Sequence, residues 1–149
     1  MLYHNFKNMS TPTNKINLRI ITPEKVAYRA EADQVSLPTK DGEITIMANH
    51  IPLISVMKHG ELVIKNNSEE IFLAVCNGFI EVKKNNVTIM TDIAERIAEI
   101  DEQKAKEARE KAKNLLKEKD RLSDVAFADA TALLEKSFAR LKVARRRKR

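Results

Sequence analysis

The chain has 149 residues, 43% hydrophobic and 32% charged. That is too apolar for a wholly disordered polypeptide, and enough for one domain with an appendage. No apolar run approaches the roughly 18 residues needed to span a bilayer, and the first fifteen residues lack the apolar region of a secretory signal. A single cysteine, Cys76, excludes an internal disulfide framework and a Cys-based zinc site. Its apolar neighbours predict a buried, inert thiol.

Charge divides the chain in two. Residues 1–98 carry 11 basic and 11 acidic groups, net zero. Residues 99–149 carry 16 and 10, which accounts for the whole net charge of +6. Glycine and proline divide it likewise. All three glycines and all four prolines precede residue 79, so turns belong to the first part and long helices to the second.

Met1 to Lys15 read as an N-terminal extension, with Met9 an alternative initiator. From residue 16, apolar positions alternate: Leu18 and Ile20, Val26 and Tyr28, Val35 and Leu37, Ile44 and Ile46. After a Pro-bearing edge strand at Ile51–Ile54, alternation resumes at Leu62 and Ile64, through Ile71–Val75, and at Ile80, Val82, Val87 and Ile89. Period two puts one face inside. Asp41-Gly42, His59-Gly60, Asn66-Asn67-Ser68, Asn77-Gly78 and Asn85-Asn86 supply turns. Eight or more short strands predict a β-sandwich or flattened barrel over 16–98. So small a domain gains from a permanent partner.

Residues 99–149 predict an antiparallel helical hairpin, giving a two-domain α+β chain. One helix carries a stripe of Ala105, Ala108, Ala112, Leu115 and Leu122, with Asp101 as its N-cap. The second carries Ala126, Ala130, Leu133, Ser137, Leu141 and Ala144, with Ser123 as its N-cap. An alanine seam holds weakly, because each buried methylene-sized group contributes only about 0.8 kcal/mol. Six basic residues in Leu141–Arg149 read as a frayed tail, either merely solvated or seeking an acidic surface.

No constellation for catalysis or metal binding appears. The glycines form no phosphate loop, and none of the three histidines has a neighbour at ligand spacing. A non-enzymatic role is expected.

Several stretches, in order, resemble the epsilon subunit of bacterial F-type ATP synthase. They are Leu37-Pro38-x-x-Asp41-Gly42-Glu43-Ile44, His50-x-Pro52-Leu53, Gly60-x-Leu62, Asn77-Gly78-Phe79-Ile80-Glu81-Val82 and Ala94-Glu95-Arg96-x-x-Glu99-Ile100-Asp101. Ala139-Arg140-Leu141-Lys142-Val143-Ala144 closes the set. The resemblance implies a non-catalytic rotor subunit of the central stalk that couples the catalytic head to a proton-driven c-ring. Its partners would be gamma, the c-ring and the alpha/beta head. It would sit on the cytoplasmic face of a bacterial inner membrane, held there only through the complex. Its helices, when extended, would inhibit ATP hydrolysis. Asp41, Gly42, Glu43 and His50 match the contact with gamma and the c-ring. Arg140, Lys142 and Arg145 match a contact with an acidic segment of beta.

Some relatives bind ATP on the folded hairpin. The matching positions are Glu95, Asp101, Lys104, Lys136 and Arg140. Two of the three family arginines are lysine here, which loses the planar fork that grips phosphate. Weak or absent ATP binding follows, with no obligatory cofactor. Two rival readings remain: a nucleic-acid module using the basic tail, which lacks interleaved aromatics, and a small-ligand sensor with the hairpin as lid.

Overall fold

A computed structural model describes residues 14–149. Residues 1–13, most of the expected extension and including Met9, lie outside the described residues. Lys15, placed in that extension, is tied to the body: its Nζ donates to Asn66 Oδ1 at 2.6 Å and lies 3.5 Å from Asp33.

Eight strands come first: β1 Ile16–Ile21, β2 Val26–Ala32, β3 Gln34–Thr39, β4 Gly42–Met47, β5 Leu53–Met57, β6 Gly60–Asn66, β7 Glu69–Lys83 and β8 Asn86–Arg96. Their order is β2-β1-β8-β7-β5-β3-β4, with β6 bridging β3 and β7. All pairs are antiparallel except β1 with β8. The expected alternation fills the interior with Leu18, Ile20, Val35, Leu37, Leu62, Ile64, Ile80 and Ile89, all buried.

Three details depart from the sequence reading. Asn77-Gly78 is no turn but a corner within β7, whose 15 residues make it anything but short. Inward positions there change from odd (Leu73, Val75) to even (Ile80, Val82). The first half of β7 pairs with β6, the second with β5. Asn77 takes φ 44° and Gly78 φ 146°. A Cβ on Gly78 would lie 1.9 Å from the Met90 carbonyl oxygen, so only glycine fits. Second, β5 is interior to the strand order, paired with β7 and β3, and Pro52 precedes it. Third, Val26 is 54% exposed, because a register shift between β1 and β2 sets it opposite Ile21 on the outer face while Tyr28 stays opposite buried Ile20.

A 3-10 turn, Ile97–Glu99, leads to α1 (Glu102–Lys117) and then α2 (Asp124–Ala144). Both expected caps are present: Asp101 accepts from Lys104 N and Ser123 from Ala126 N. Leu122, assigned to the first helix stripe, lies beyond it, because α1 ends at Lys117 and a second 3-10 turn, Lys119–Arg121, follows. Leu115 is also exposed, leaving Ala105 and Ala112 as the buried positions of α1.

Candidate functional site: the seat of the hairpin

One transverse row of the sheet forms the seat. Glu61 of β6 pairs with Ala74 of β7, which pairs with Glu95 of β8. Two carboxylates therefore flank one methyl group on the outer face. The second helix lies over that row. Six helical residues advance about 9 Å, close to the roughly 10 Å between strands two apart. That match lets Arg140 and Arg146 reach one carboxylate each. Arg140 donates from Nε to Glu95 Oε2 and from Nη2 to Oε1, both at 2.7 Å. Arg146, in the 3-10 turn Arg145–Lys148, donates from Nε to Glu61 Oε2 at 3.0 Å and from Nη2 to Oε1 at 2.8 Å. The hydrogen bonds donated to these carboxylates raise the pKa of both guanidinium groups. Arg146 also lies over Phe72, 4.6 Å from its ring centroid.

The contact between the clasps is made of small side chains. Ala139, Val143 and Ala144 of α2 pack with Ala74 and Ile100, flanked by Phe72 and Ile97. This cluster is separate from the sandwich core. Ala144 belongs to the stripe read in the sequence, whereas Ala139 and Val143 lie outside it. Cys76 is fully buried among the groups of this face, as expected. Burial, with Glu135 nearby, pushes its thiol up to about 11. Its backbone is held by Thr91, whose Oγ1 donates to the Cys76 carbonyl at 2.8 Å.

The tail is not frayed. Beyond the Arg146 clasp, Arg147 Nη2 donates to the Ile97 carbonyl and, at 3.2 Å, to that of Ile100. Lys148 donates to Glu102 at 3.3 Å; with Lys106 it holds the Glu102 carboxyl below the usual carboxylate range. The acidic surface that such a tail seeks exists within the chain itself. Glu61 gives no local signal in the sequence. Its partner is 85 positions away, and only the helix–sheet crossing joins them.

The residues read from sequence fall in separate places. Asp41, Gly42 and Glu43 sit exposed at the β3–β4 tip, where Thr39 Oγ1 donates to the Gly42 carbonyl at 2.7 Å. His50 follows the far end of β4, about 17 Å from the tip at 3.3–3.4 Å per residue; its Nδ1 is 2.7 Å from the Ile51 carbonyl oxygen. The fold does not bring these four together. Glu95 and Arg140 do meet, but in a clasp with each other. Asp101 caps α1, and the Lys104 side chain is 83% exposed. Lys136 is half-buried on α2. Lys142 and Arg145, unlike Arg140, make no ion pair among the described residues. With Arg109, His59 and Phe138 they border a cleft of roughly 370 Å3.

A second surface crosses the outer face of the sheet. Val56, Phe79, Met90, Ile21 and Val26 are successive neighbours across β5, β7, β8, β1 and β2. Phe79 is 54% exposed and Met90 44%. A continuous apolar row on a solvent face marks a protein contact.

Comparison with known proteins adds the decisive observation. Residues 15–97 match the family profile for the ATP synthase delta/epsilon chain, beta-sandwich domain, and residues 98–145 match that of its long alpha-helix domain. The chain belongs to the ATP synthase delta/epsilon family. It is 41% identical over 131 residues to the ATP synthase epsilon chain of Syntrophobacter fumaroxidans, covering 87% of this chain and 96% of that one. It is also 41% identical over 129 residues to that of Chloroflexus aggregans, covering 87% and 91%. A chain of the Euglena gracilis mitochondrial ATP synthase shares the fold, with a TM-score of 0.73 at 21% identity over 94% of this chain and 86% of that one. An epsilon-family chain is a stalk subunit, not a catalytic one. No described helix is long and apolar enough to cross a membrane.

Proposed function

We propose that this epsilon-family chain is a rotor subunit whose sandwich is fixed in the central stalk and whose hairpin acts as a movable brake on ATP hydrolysis. The observation that carries this reading is the construction of the seat. The hairpin rests on a small cluster of Ala139, Val143 and Ala144 against Ala74 and Ile100 and on partly buried ion pairs, while the sandwich keeps a separate core of its own. Lifting α2 therefore uncovers that small cluster and leaves the sandwich core intact.

The apolar row from Val56 to Val26 is the docking face for gamma. The Asp41-Gly42-Glu43 tip, polar and exposed, meets the c-ring. His50 serves a different contact, because it lies at the other end of β4. Lys142 and Arg145 are unpaired among the described residues and ready for an acidic segment of the beta subunit. Arg140 joins them only after leaving Glu95. Such contacts steer and specify docking, and salt weakens them. Membrane attachment, on the cytoplasmic face of a bacterial inner membrane, comes through the complex alone.

ATP is not the regulator. Glu95 and Arg140 engage each other, Asp101 serves as an N-cap, and Lys104 faces solvent. Titration with ATP is expected to give no saturable binding in the micromolar range; a micromolar dissociation constant would reverse this point. The main test removes residues 100–149 and measures ATP hydrolysis by the reconstituted catalytic head containing gamma. Loss of inhibition with assembly intact is the expected result. An unchanged rate would leave a coupling role only.

A further inference from the structure

We propose that the last residues of the chain form an intramolecular latch, in which Arg146 holds the hairpin down by occupying Glu61. This rests on the movable-brake reading and specifies what controls it.

Four observations converge. Glu61 is only 8% exposed, so its carboxylate needs a partner whenever α2 covers it. Arg146 supplies one in a two-pronged geometry, with its other face on Phe72. Arg147 fastens the same turn to the Ile97 and Ile100 carbonyls, and Lys148 to Glu102. Finally, these residues lie beyond residue 145, where the match to the family's helix domain ends.

The latch has two states. With the hairpin seated, Glu61 is paired and shielded. With it lifted, Glu61 is hydrated and Arg146 is free to meet external carboxylates. A ligand shifts such an equilibrium only by binding one state better. An acidic protein surface does so, because it competes with Glu61 for the same guanidinium. The partner that releases the hairpin is therefore the acidic surface on which the hairpin lands.

The chain carries its own reporter. Cys76 is its one thiol and is fully buried at the seat, so a bulky aromatic disulfide reagent reaches it only when α2 lifts. The labelling rate of the isolated full chain then reads the opening equilibrium. Arg146→Gln is expected to accelerate labelling about tenfold, since a charge-assisted pair is lost. Arg149→Gln removes the same charge outside the latch and stays within about twofold. Amide exchange at Ile80 and Ile89, deep in the sandwich, keeps its wild-type rate in both. Equal labelling of wild type and Arg146→Gln overturns the proposal. So does equal acceleration by the two variants, because charge and not contact would then govern. Acceleration of the Ile80 and Ile89 amides along with Cys76 overturns it too, since Arg146 would then hold the sandwich together and not the helix. If Arg146→Gln selectively speeds labelling yet leaves inhibition of hydrolysis in the gamma-containing head unchanged, the latch stands and the brake reading falls.

Discussion

Single residues differ in how far their roles depend on distant partners. Asp101 and Ser123 are legible because a cap needs only the backbone three residues on. Gly78 is half-legible: the Asn-Gly pair signals positive φ, but not whether the chain reverses or bends. The Met90 carbonyl across the ladder decides for a bend. Gly78→Ala is expected to cost about 3 kcal/mol or more, from a strained φ and a backbone clash together, read as a lower urea midpoint. Cys76 yields a pH prediction. Its folded pKa of about 11 lies above the unfolded value near 9. The neutral thiol is thus favoured by folding, and its contribution is full below pH 9 and lost as pH rises toward 11. Stability should fall across that window, and Cys76→Ala should flatten the fall. Glu61 and Arg146 illustrate the opposite limit, since neither alternation nor helical spacing says that one will find the other.

For whole elements, periodicity was informative wherever one face is buried and the other wet. The strands β1 and β3 follow this rule. It misleads at β2, where a register shift turns Val26 to the outer face, and along α2, which is buried on two sides. Alternation along β7 hides its corner, because a parity change needs only one extra residue. The helix starts, in contrast, are fixed by capping chemistry at Asp101 and Ser123 and were legible; the end of α1 was not. The alanine face of α2 sets its distance from the sheet. Ala139→Leu should lift α2 from Ala74, costing about 1–3 kcal/mol of hairpin seating through overpacking. Amide exchange would show this as faster exchange in α1 and α2 with unchanged protection in β1 and β8. Slower exchange or loss of protection throughout the sandwich would contradict an independent seat.

Across the whole molecule, two bodies of different character share one chain: a neutral sandwich with a deep aliphatic core, and a basic hairpin with an alanine seam. The charge asymmetry that announced this division also supplies its attachment, because arginines of the hairpin meet carboxylates of an otherwise neutral sandwich. Partially buried ion pairs contribute modestly to net stability, yet losing one partner is costly. They are therefore suited to choosing between two resting places. Raising salt from low to physiological strength should loosen the seat in the isolated chain, seen as faster Cys76 labelling, since the solvent-facing sides of these pairs are screened over about 8–10 Å. The most direct test of the central claim locks the hairpin to its seat inside the gamma-containing catalytic head. Glu61→Cys and Arg146→Cys, in a Cys76→Ala background, would be joined by a reducible thiol-specific cross-linker. The account predicts uninhibited ATP hydrolysis while the link is intact and restored inhibition once it is reduced. Equal rates before and after reduction would contradict it.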